Sequence, residues 1–227
     1  MREIFGVAAP AVCECCGRGL VAGERSVCAH CLAEIDIALP AGSVSDELRE
    51  RLHPRTAPIV AVSTWAYYTH DSVVGRLIRL GKYDDRPDII DRLAGLYAAE
   101  LDRCGVAADV DVLMPVPMHW LKRLIRGYNQ TEVLAATLGA RLGIPVGDNL
   151  RACRLRRRQA TLHGTDRHHG ADGAFTVSHP DDLAGLHVAV VDDVITTGAT
   201  VSAAIAALMP AAPRAISVLA LAATPLR

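Results

Sequence analysis

The sequence predicts an α/β fold, a parallel sheet flanked by helices, with a small cysteine-rich module at the N-terminus. Short apolar runs such as residues 188–191 and 216–223 are typical of strands buried inside a parallel sheet. Segments with apolar residues at helical spacing, among them residues 73–80 and 199–209, lie between such runs. Five of the seven cysteines lie between residues 13 and 31, in a segment too small to have a core of its own.

Length and composition limit the class of protein. With 227 residues, 51% hydrophobic and 22% charged, the chain can bury a full α/β core, which excludes a disordered or fibrous protein. The net charge of −1 excludes a protein that is basic overall, although local basic clusters remain. No run of 18 apolar residues occurs, and Glu3, Cys13 and Glu14 interrupt any signal-peptide core, so we expect a soluble, cytoplasmic protein without membrane insertion.

Composition also suggests where the chain divides. We assign residues 1–40 to a zinc knuckle, 41–58 to a linker and 59–227 to the main domain. The linker assignment depends on prolines, glycines and serines, although a short helix is expected near residues 47–52.

The cysteines of the first segment have the spacing of a metal site. Cys13 and Cys16 form one Cys-x-x-Cys pair, and Cys28 and Cys31 form another 11 residues later. Two such knuckles can place four thiolates tetrahedrally around Zn²⁺, and a site closed by four thiolates is structural rather than catalytic. Two alternatives remain open: thiol redox chemistry, and replacement of one ligand by a neighbouring residue, Cys15 or His30.

The main domain is expected to begin with an edge strand or hairpin at 59–68. A helix over 70–80, ended by Gly81-Lys82-Tyr83, and a second helix over 86–104 follow. A strand at 111–114 precedes Pro115 and Pro117, which cannot continue a central ladder, so a loop is expected there. That loop carries His119, Lys122, Arg123 and Arg126. Asn129 then caps a helix to residue 142, and a strand is expected over 144–151.

The stretch 188–200 carries the clearest chemistry. Its apolar strand is expected to end in two carboxylates, Asp192 and Asp193, and a turn of threonines and glycine then leads into the helix 199–209. Free backbone N–H groups at a helix start, a close approach at Gly198 and threonine hydroxyls together suit a phosphate. The carboxylates must face sugar hydroxyls, Mg²⁺ or both, because like charges repel. The alternative is a solvated acidic turn after a core strand.

This stretch resembles the 5-phosphoribosyl-1-pyrophosphate (PRPP) binding motif of type I phosphoribosyltransferases. The resemblance implies that Asp192 and Asp193 hold the ribose 2′- and 3′-hydroxyls at the catalytic centre. It implies that the 5′-phosphate is bound by the five residues Thr196, Thr197, Gly198, Ala199 and Thr200.

Other segments resemble a narrower group, the ComF competence-associated family, which joins a four-cysteine zinc knuckle to a type I phosphoribosyltransferase-like parallel sheet. The matching segments include 77–83 with Lys82, 116–130 with Arg123 and Arg126, and 158–175 with Arg158 and Arg167. The resemblance implies that these five cationic residues bind substrate. One departure is Gly170, which stands where the family usually has Asn.

A basic segment over 151–169 is expected to be a long loop. In phosphoribosyltransferases a flexible loop at this place closes over PRPP, and its arginines would neutralise the departing pyrophosphate. The alternatives are a solvated run of charge and contact with single-stranded nucleic acid. The loop lacks the aromatic residues that base stacking needs.

These features together favour transfer of a 5-phosphoribosyl group from PRPP, with Mg²⁺, to an acceptor that the sequence does not mark. Asp193 is further expected to help the acceptor lose a proton. The alternatives are a PRPP or nucleotide sensor without turnover, an accessory factor in DNA uptake that binds single-stranded DNA, and a protein partner docked on the zinc knuckle.

Overall fold

The computed structural model describes residues 11–38, 46–83, 86–153 and 173–225. The strands are β1 (Ile59–Tyr67), β2 (Val112–Pro115), β3 (Leu150–Ala152), β4 (Phe175–Val177), β5 (His187–Ile195) and β6 (Ala215–Ala223). The helices are α1 (Ala29–Ala33), α2 (Asp46–Glu50), α3 (Val73–Tyr83), α4 (Pro87–Cys104), α5 (Trp120–Arg126), α6 (Gln130–Leu142) and α7 (Ala199–Leu208). Two 3₁₀ turns occupy Pro180–Leu183 and Met209–Ala211.

Four strands form a parallel sheet in the order β1-β6-β5-β2, which confirms the predicted fold class and the edge position of β1. Side chains of the two central strands alternate between its faces, as a pleated strand requires. Ala189 and Val191 pack with α3, α4 and α6 on one face. Val188 and Val190 pack with α7 on the other. The sheet is therefore buried on both faces, and any polar group within it needs a specific partner.

Strand β5 is longer than predicted. The strand is predicted to end in the acidic pair, but it continues to Ile195, and Asp192 pairs in register with Ala220 of β6. The small side chain of Ala220 leaves room beside Asp192. Both carboxylates therefore lie within the paired part of β5, near the carboxyl end of the sheet.

The segment after β2 also differs from its prediction. A loop was expected, but Trp120–Arg126 is a helix, because the His119 side chain accepts the Leu121 N–H at 3.3 Å and caps it. Pro115 is the last residue of β2, and α3 includes Gly81–Tyr83 rather than ending before them. Only the last two residues of the predicted strand 144–151 belong to β3. Earlier in that stretch, Val146 forms a single bridge to β2. The predicted cap is confirmed, since Asn129 Oδ1 accepts the Thr131 N–H at 3.3 Å.

The segment between the two predicted domains is packed against the main domain. Leu48, Leu52 and Ala57 are buried in the core on the α7 side of the sheet. The end of the cysteine-rich module is hydrogen-bonded to β1, because the Tyr67 N–H donates to the Asp36 carbonyl at 2.9 Å. The cysteine-rich module is thus joined to the edge strand of the sheet.

Candidate functional site

The four predicted metal ligands lie together in the N-terminal module. The Sγ atoms of Cys13, Cys16, Cys28 and Cys31 are all within 4.8 Å of one another. The Cys13–Cys31 and Cys16–Cys28 sulfur pairs are separated by 3.8 Å and 3.7 Å. Thiolates around a tetrahedral zinc, with Zn–S about 2.3 Å, are about 3.8 Å apart. The cluster therefore has the spacing that a metal such as zinc requires.

Backbone donors around the cluster favour the ionised thiolate. The Cys28 N–H points to Cys13 Sγ at 3.3 Å, and the Cys31 N–H points to Cys28 Sγ at 3.5 Å. Burial opposes ionisation of Cys13, but N–H groups of Cys28, Cys16 and Cys15 outweigh it and lower the pKa of the thiol to about 6. Neither alternative ligand, Cys15 or His30, joins the cluster among the described residues. His30 contacts Glu34 at 3.1 Å instead.

Arginines of the main domain hold this module in place. Arg76 of α3 donates to the Cys15 carbonyl, and Arg92 of α4 donates to the Arg25 carbonyl at 3.0 Å. Arg86, before α4, pairs with Glu14 of the module and contacts Asp88 at 2.9 Å. The cysteine-rich module is therefore connected to α3 and α4 through defined polar contacts.

The acidic pair is almost fully buried. Asp192 and Asp193 are 7% and 9% exposed, and the Asp193 N–H donates to Asp192 Oδ1 at 2.8 Å. Burial, reinforced by the charge of Asp193, raises the pKa of Asp192 to about 8. Lys82 Nζ lies 2.8 Å from Asp193 Oδ2, and both side chains are largely buried. Lys82 is thus a built-in counter-ion of Asp193.

The last turn of α3 is fixed so that Lys82 reaches this position. A Cβ on Gly81 would lie 2.6 Å from the Ile90 side chain, so α3 and α4 approach each other more closely than any larger residue allows. The Tyr128 hydroxyl donates to the Gly81 carbonyl. Contacts from α4 and from the start of the next segment therefore hold both sides of the turn that carries Lys82.

Residues 196–200, here called the threonine turn, follow β5 directly. Thr196, Thr197, Ala199 and Thr200 are exposed, whereas Gly198 is buried with a φ of +78°. An added Cβ on Gly198 would lie 2.8 Å from the Arg51 carbonyl oxygen, so glycine is required for both conformation and space. The exposed hydroxyls and the N-terminus of α7 thus face solvent beside the acidic pair, an arrangement suited to a phosphate group.

Sequence reasoning missed Arg51 at this site. Its Nη1 donates to the Thr196 carbonyl at 2.8 Å and to the Thr224 hydroxyl at 3.2 Å. It belongs to the segment that composition assigned to a linker, 145 positions from Thr196 in the sequence. No local motif signals a contact at that separation.

The structure brings the predicted cationic residues together only in part. Lys82 reaches the acidic pair, but Arg123 pairs with Glu132 at 2.7 Å and Arg126 lies 5.0 Å over the ring of Tyr83. The loop after β2 begins beside the acidic pair, since Val116 N donates to the Val191 carbonyl at 2.9 Å. Arg158 and Arg167, together with Gly170 and most of the predicted lid, lie outside the described residues.

Comparison with curated proteins gives two relatives that cover different shares of this chain. No protein-family model matches the chain. The DNA utilization protein YhgH of Salmonella typhi is 29% identical over 84% of this chain and 81% of its own length. Competence protein F of Haemophilus influenzae is 33% identical over 94 residues, 40% of this chain and 41% of its own length. These relatives confirm the resemblance to the competence-associated family.

Comparison with solved structures gives weak similarities. One is to the glutamine PRPP amidotransferase from B. subtilis complexed with ADP and GMP, with TM-score 0.41 and 21% identity, covering 58% of this chain and 25% of that one. Another is to adenine phosphoribosyltransferase from Leishmania tarentolae, with TM-score 0.39 and 11% identity, covering 80% of this chain and 87% of that one. None of the described helices combines the length and apolar character needed to cross a membrane.

Proposed function

We propose that the chain binds PRPP with Mg²⁺ and transfers its 5-phosphoribosyl group to an acceptor, releasing pyrophosphate. The observation that carries this proposal is the adjacency of a buried carboxylate pair and an exposed threonine turn at one end of a parallel sheet. A sugar phosphate matches both halves, since its hydroxyls face acceptors and its phosphate faces donors.

Each residue of the site has a distinct task in this scheme. The carboxylates of Asp192 and Asp193 accept hydrogen bonds from the ribose 2′- and 3′-hydroxyls, and residues Thr196 to Thr200 bind the 5′-phosphate. Negative charge at Asp193 also stabilises the positive charge that develops on the sugar ring as pyrophosphate leaves. Lys82, released from Asp193 by the incoming hydroxyls, is placed to compensate the leaving phosphates, with Arg123, Arg126, Arg158 and Arg167 as further candidates.

The donor set bears on how Mg²⁺ enters the site. Burial raises the pKa of Asp192 and Asp193 already has a lysine partner, so the pair is a weak metal site by itself. Mg²⁺ would instead be held by the pyrophosphate oxygens of PRPP, whose charge it would neutralise.

We assign Zn²⁺ to the four cysteines as a structural ion. All four ligand positions are thiolates, which leaves no open position for a substrate. The ion would stabilise a short module that packs against α3 and α4 through buried residues such as Val27 and Ile35 and is also bonded to these helices by arginines.

Calorimetric titration of PRPP with Mg²⁺ tests the sugar-phosphate site. We expect binding by the wild type and its loss in an Asp192→Asn/Asp193→Asn variant. The matched control is Asp181→Asn/Asp182→Asn, an adjacent acidic pair that is exposed and lies outside the sheet. Absence of PRPP binding by the folded wild type would refute the proposal, and pyrophosphate release with candidate acceptors then tests turnover.

A second candidate function, binding of single-stranded DNA, is favoured by α5. Trp120, Leu124 and Ile125 of this helix are 55%, 76% and 84% exposed, beside the cationic Arg123 and Arg126. An exposed aromatic side chain can stack on a base, and neighbouring cations can contact the phosphates. The predicted lid lacks such an aromatic residue. The names of the relatives, a DNA utilization protein and a competence protein, agree with this candidate.

Fluorescence anisotropy with a labelled oligothymidine tests this second candidate across a range of salt concentrations. Trp120→Ala should weaken binding by about tenfold or more, whereas Trp120→Phe, which still stacks, should weaken it less. Arg123→Ala should lower the salt slope by about one. Arg103→Ala is the control, because Arg103 is also an exposed arginine paired with a glutamate, at position 100. Equal binding by all these variants would exclude α5 as the DNA surface.

A further inference from the structure

The segment before β1 forms the floor of the threonine turn. The Arg51 side chain donates to the Thr196 carbonyl, and the Arg51 carbonyl lies against Gly198. The Leu52 side chain lies 3.2 Å from the position of an added Gly198 Cβ, and the His53 N–H donates to Ser202 Oγ at 3.0 Å. Three consecutive residues thus contact the turn and the first turn of α7.

Full positive charge at the turn comes from outside the motif. The stretch 188–200 contains two aspartates and no lysine or arginine, and the nearby Lys82 is already paired with Asp193. Backbone N–H groups and hydroxyls offer a phosphate only partial positive charge. The Arg51 guanidinium, hydrogen-bonded to the backbone of the turn, adds a full positive charge close to the place where a phosphate would bind.

We propose that Arg51 is a positioning residue of the phosphate site, which fixes the backbone of the threonine turn and supplies the positive charge that the motif itself lacks. The inference rests on the proposed sugar-phosphate site and adds to it a residue outside the motif. A segment that composition assigned to a linker is in this way part of the site.

The geometry gives Arg51 two separate effects. Its hydrogen bond to the Thr196 carbonyl polarises the peptide group whose N–H belongs to Thr197, so that N–H becomes a stronger donor to a phosphate. Its second bond, to the Thr224 hydroxyl after β6, holds the guanidinium in one orientation. Because Arg51 is half-buried, solvent and salt screen its charge less than that of a surface arginine.

Ribose 5-phosphate is the probe for this role, titrated calorimetrically into four folded proteins. Arg51→Gln keeps a donor but loses the charge, and we expect it to weaken binding about tenfold or more, the effect of losing a charged hydrogen-bond partner. Arg51→Lys keeps the charge and should stay within about threefold of the wild type. The control is Arg55→Gln, because Arg55 is exposed in the same segment and donates to the Glu50 carbonyl instead.

The outcomes separate this inference from the proposed function. A wild type that does not bind ribose 5-phosphate refutes the sugar-phosphate site itself. A wild type that binds, with Arg51→Gln binding equally well, overturns the role of Arg51 and leaves the site intact. The role is also overturned if Arg51→Lys loses as much affinity as Arg51→Gln, because the loss then does not depend on charge at position 51. It is overturned as well if Arg55→Gln loses as much affinity as Arg51→Gln, because the loss is then not specific to position 51. If neither Arg51→Gln nor Arg51→Lys folds, Arg51 is structural and the inference fails.

Discussion

The buried carboxylate of Asp192 should make the stability of this protein depend on pH in an unusual direction. Its pKa is raised to about 8 in the folded chain, chiefly by burial, against an ordinary value of 3.8. Between those two values the folded state binds more protons than the unfolded state. Stability from this residue is therefore present at low pH and is lost as the pH rises towards 8.

The size of the effect follows from the pKa shift. Each pH unit within the window changes the free energy of unfolding by about 1.4 kcal/mol, so the change between pH 6.0 and 7.5 is about 2 kcal/mol. Relaxation around a buried charge reduces this figure, which makes it an upper value. The asparagine of Asp192→Asn occupies the same space but does not titrate. The stability of this variant should therefore fall less than that of the wild type between pH 6.0 and 7.5.

Urea unfolding of the zinc-loaded protein at pH 6.0, 6.75 and 7.5 measures the difference between the two slopes. Because all other titrating groups are shared, the wild type minus the variant isolates Asp192 together with its coupling to Asp193. Asp182→Asn serves as the control, since Asp182 is exposed and should leave the slope unchanged. If wild type and Asp192→Asn lose stability equally with rising pH, Asp192 is already ionised at neutral pH and the reasoning about the pair is wrong.

Three further changes test the other parts of the site. Cys28→Ser should abolish stoichiometric zinc, measured by native mass spectrometry, and lower the melting temperature, whereas Cys153→Ser outside the cluster should do neither. Gly198→Ala should cost about 1 kcal/mol or more beyond Gly185→Ala in urea unfolding, because both have positive φ but only Gly198 faces a nearby atom. Lys82→Met should cost about 1–3 kcal/mol near pH 7, less than a fully buried pair, by leaving Asp193 without its counter-ion. Unchanged stability in that variant would mean that water hydrogen-bonds to Asp193 well enough to replace the lysine.

Local patterns could predict the parts of the fold that depend on local residues. The cysteine cluster was predictable because each Cys-x-x-Cys pair lies within one turn of the chain and the pairs are only 11 residues apart. The threonine turn was predictable because strand, turn and helix follow one another directly. In both cases the chemistry and the geometry belong to one short segment.

Features that depend on distant neighbours were missed. The ladder of β5 continues through the acidic pair beside β6, where Ala220 is the neighbour of Asp192. Helix α5 is capped by His119, which is outside the usual group of N-cap residues, and the prolines before it signal a loop. Arg51 contacts a turn 145 positions away, so only the folded chain places it at the site.

One helical turn connects the two candidate ligand surfaces. Three consecutive residues at the end of α3 face different neighbours: Gly81 accepts a hydrogen bond from Tyr128, Lys82 pairs with Asp193, and Tyr83 lies under Arg126 of α5. A ligand that draws Lys82 away from the acidic pair would change the contact between Tyr83 and Arg126 only if the backbone of this turn moves with the lysine. In that case sugar-phosphate binding and events at α5 would be coupled, and the coupling would act equally in both directions.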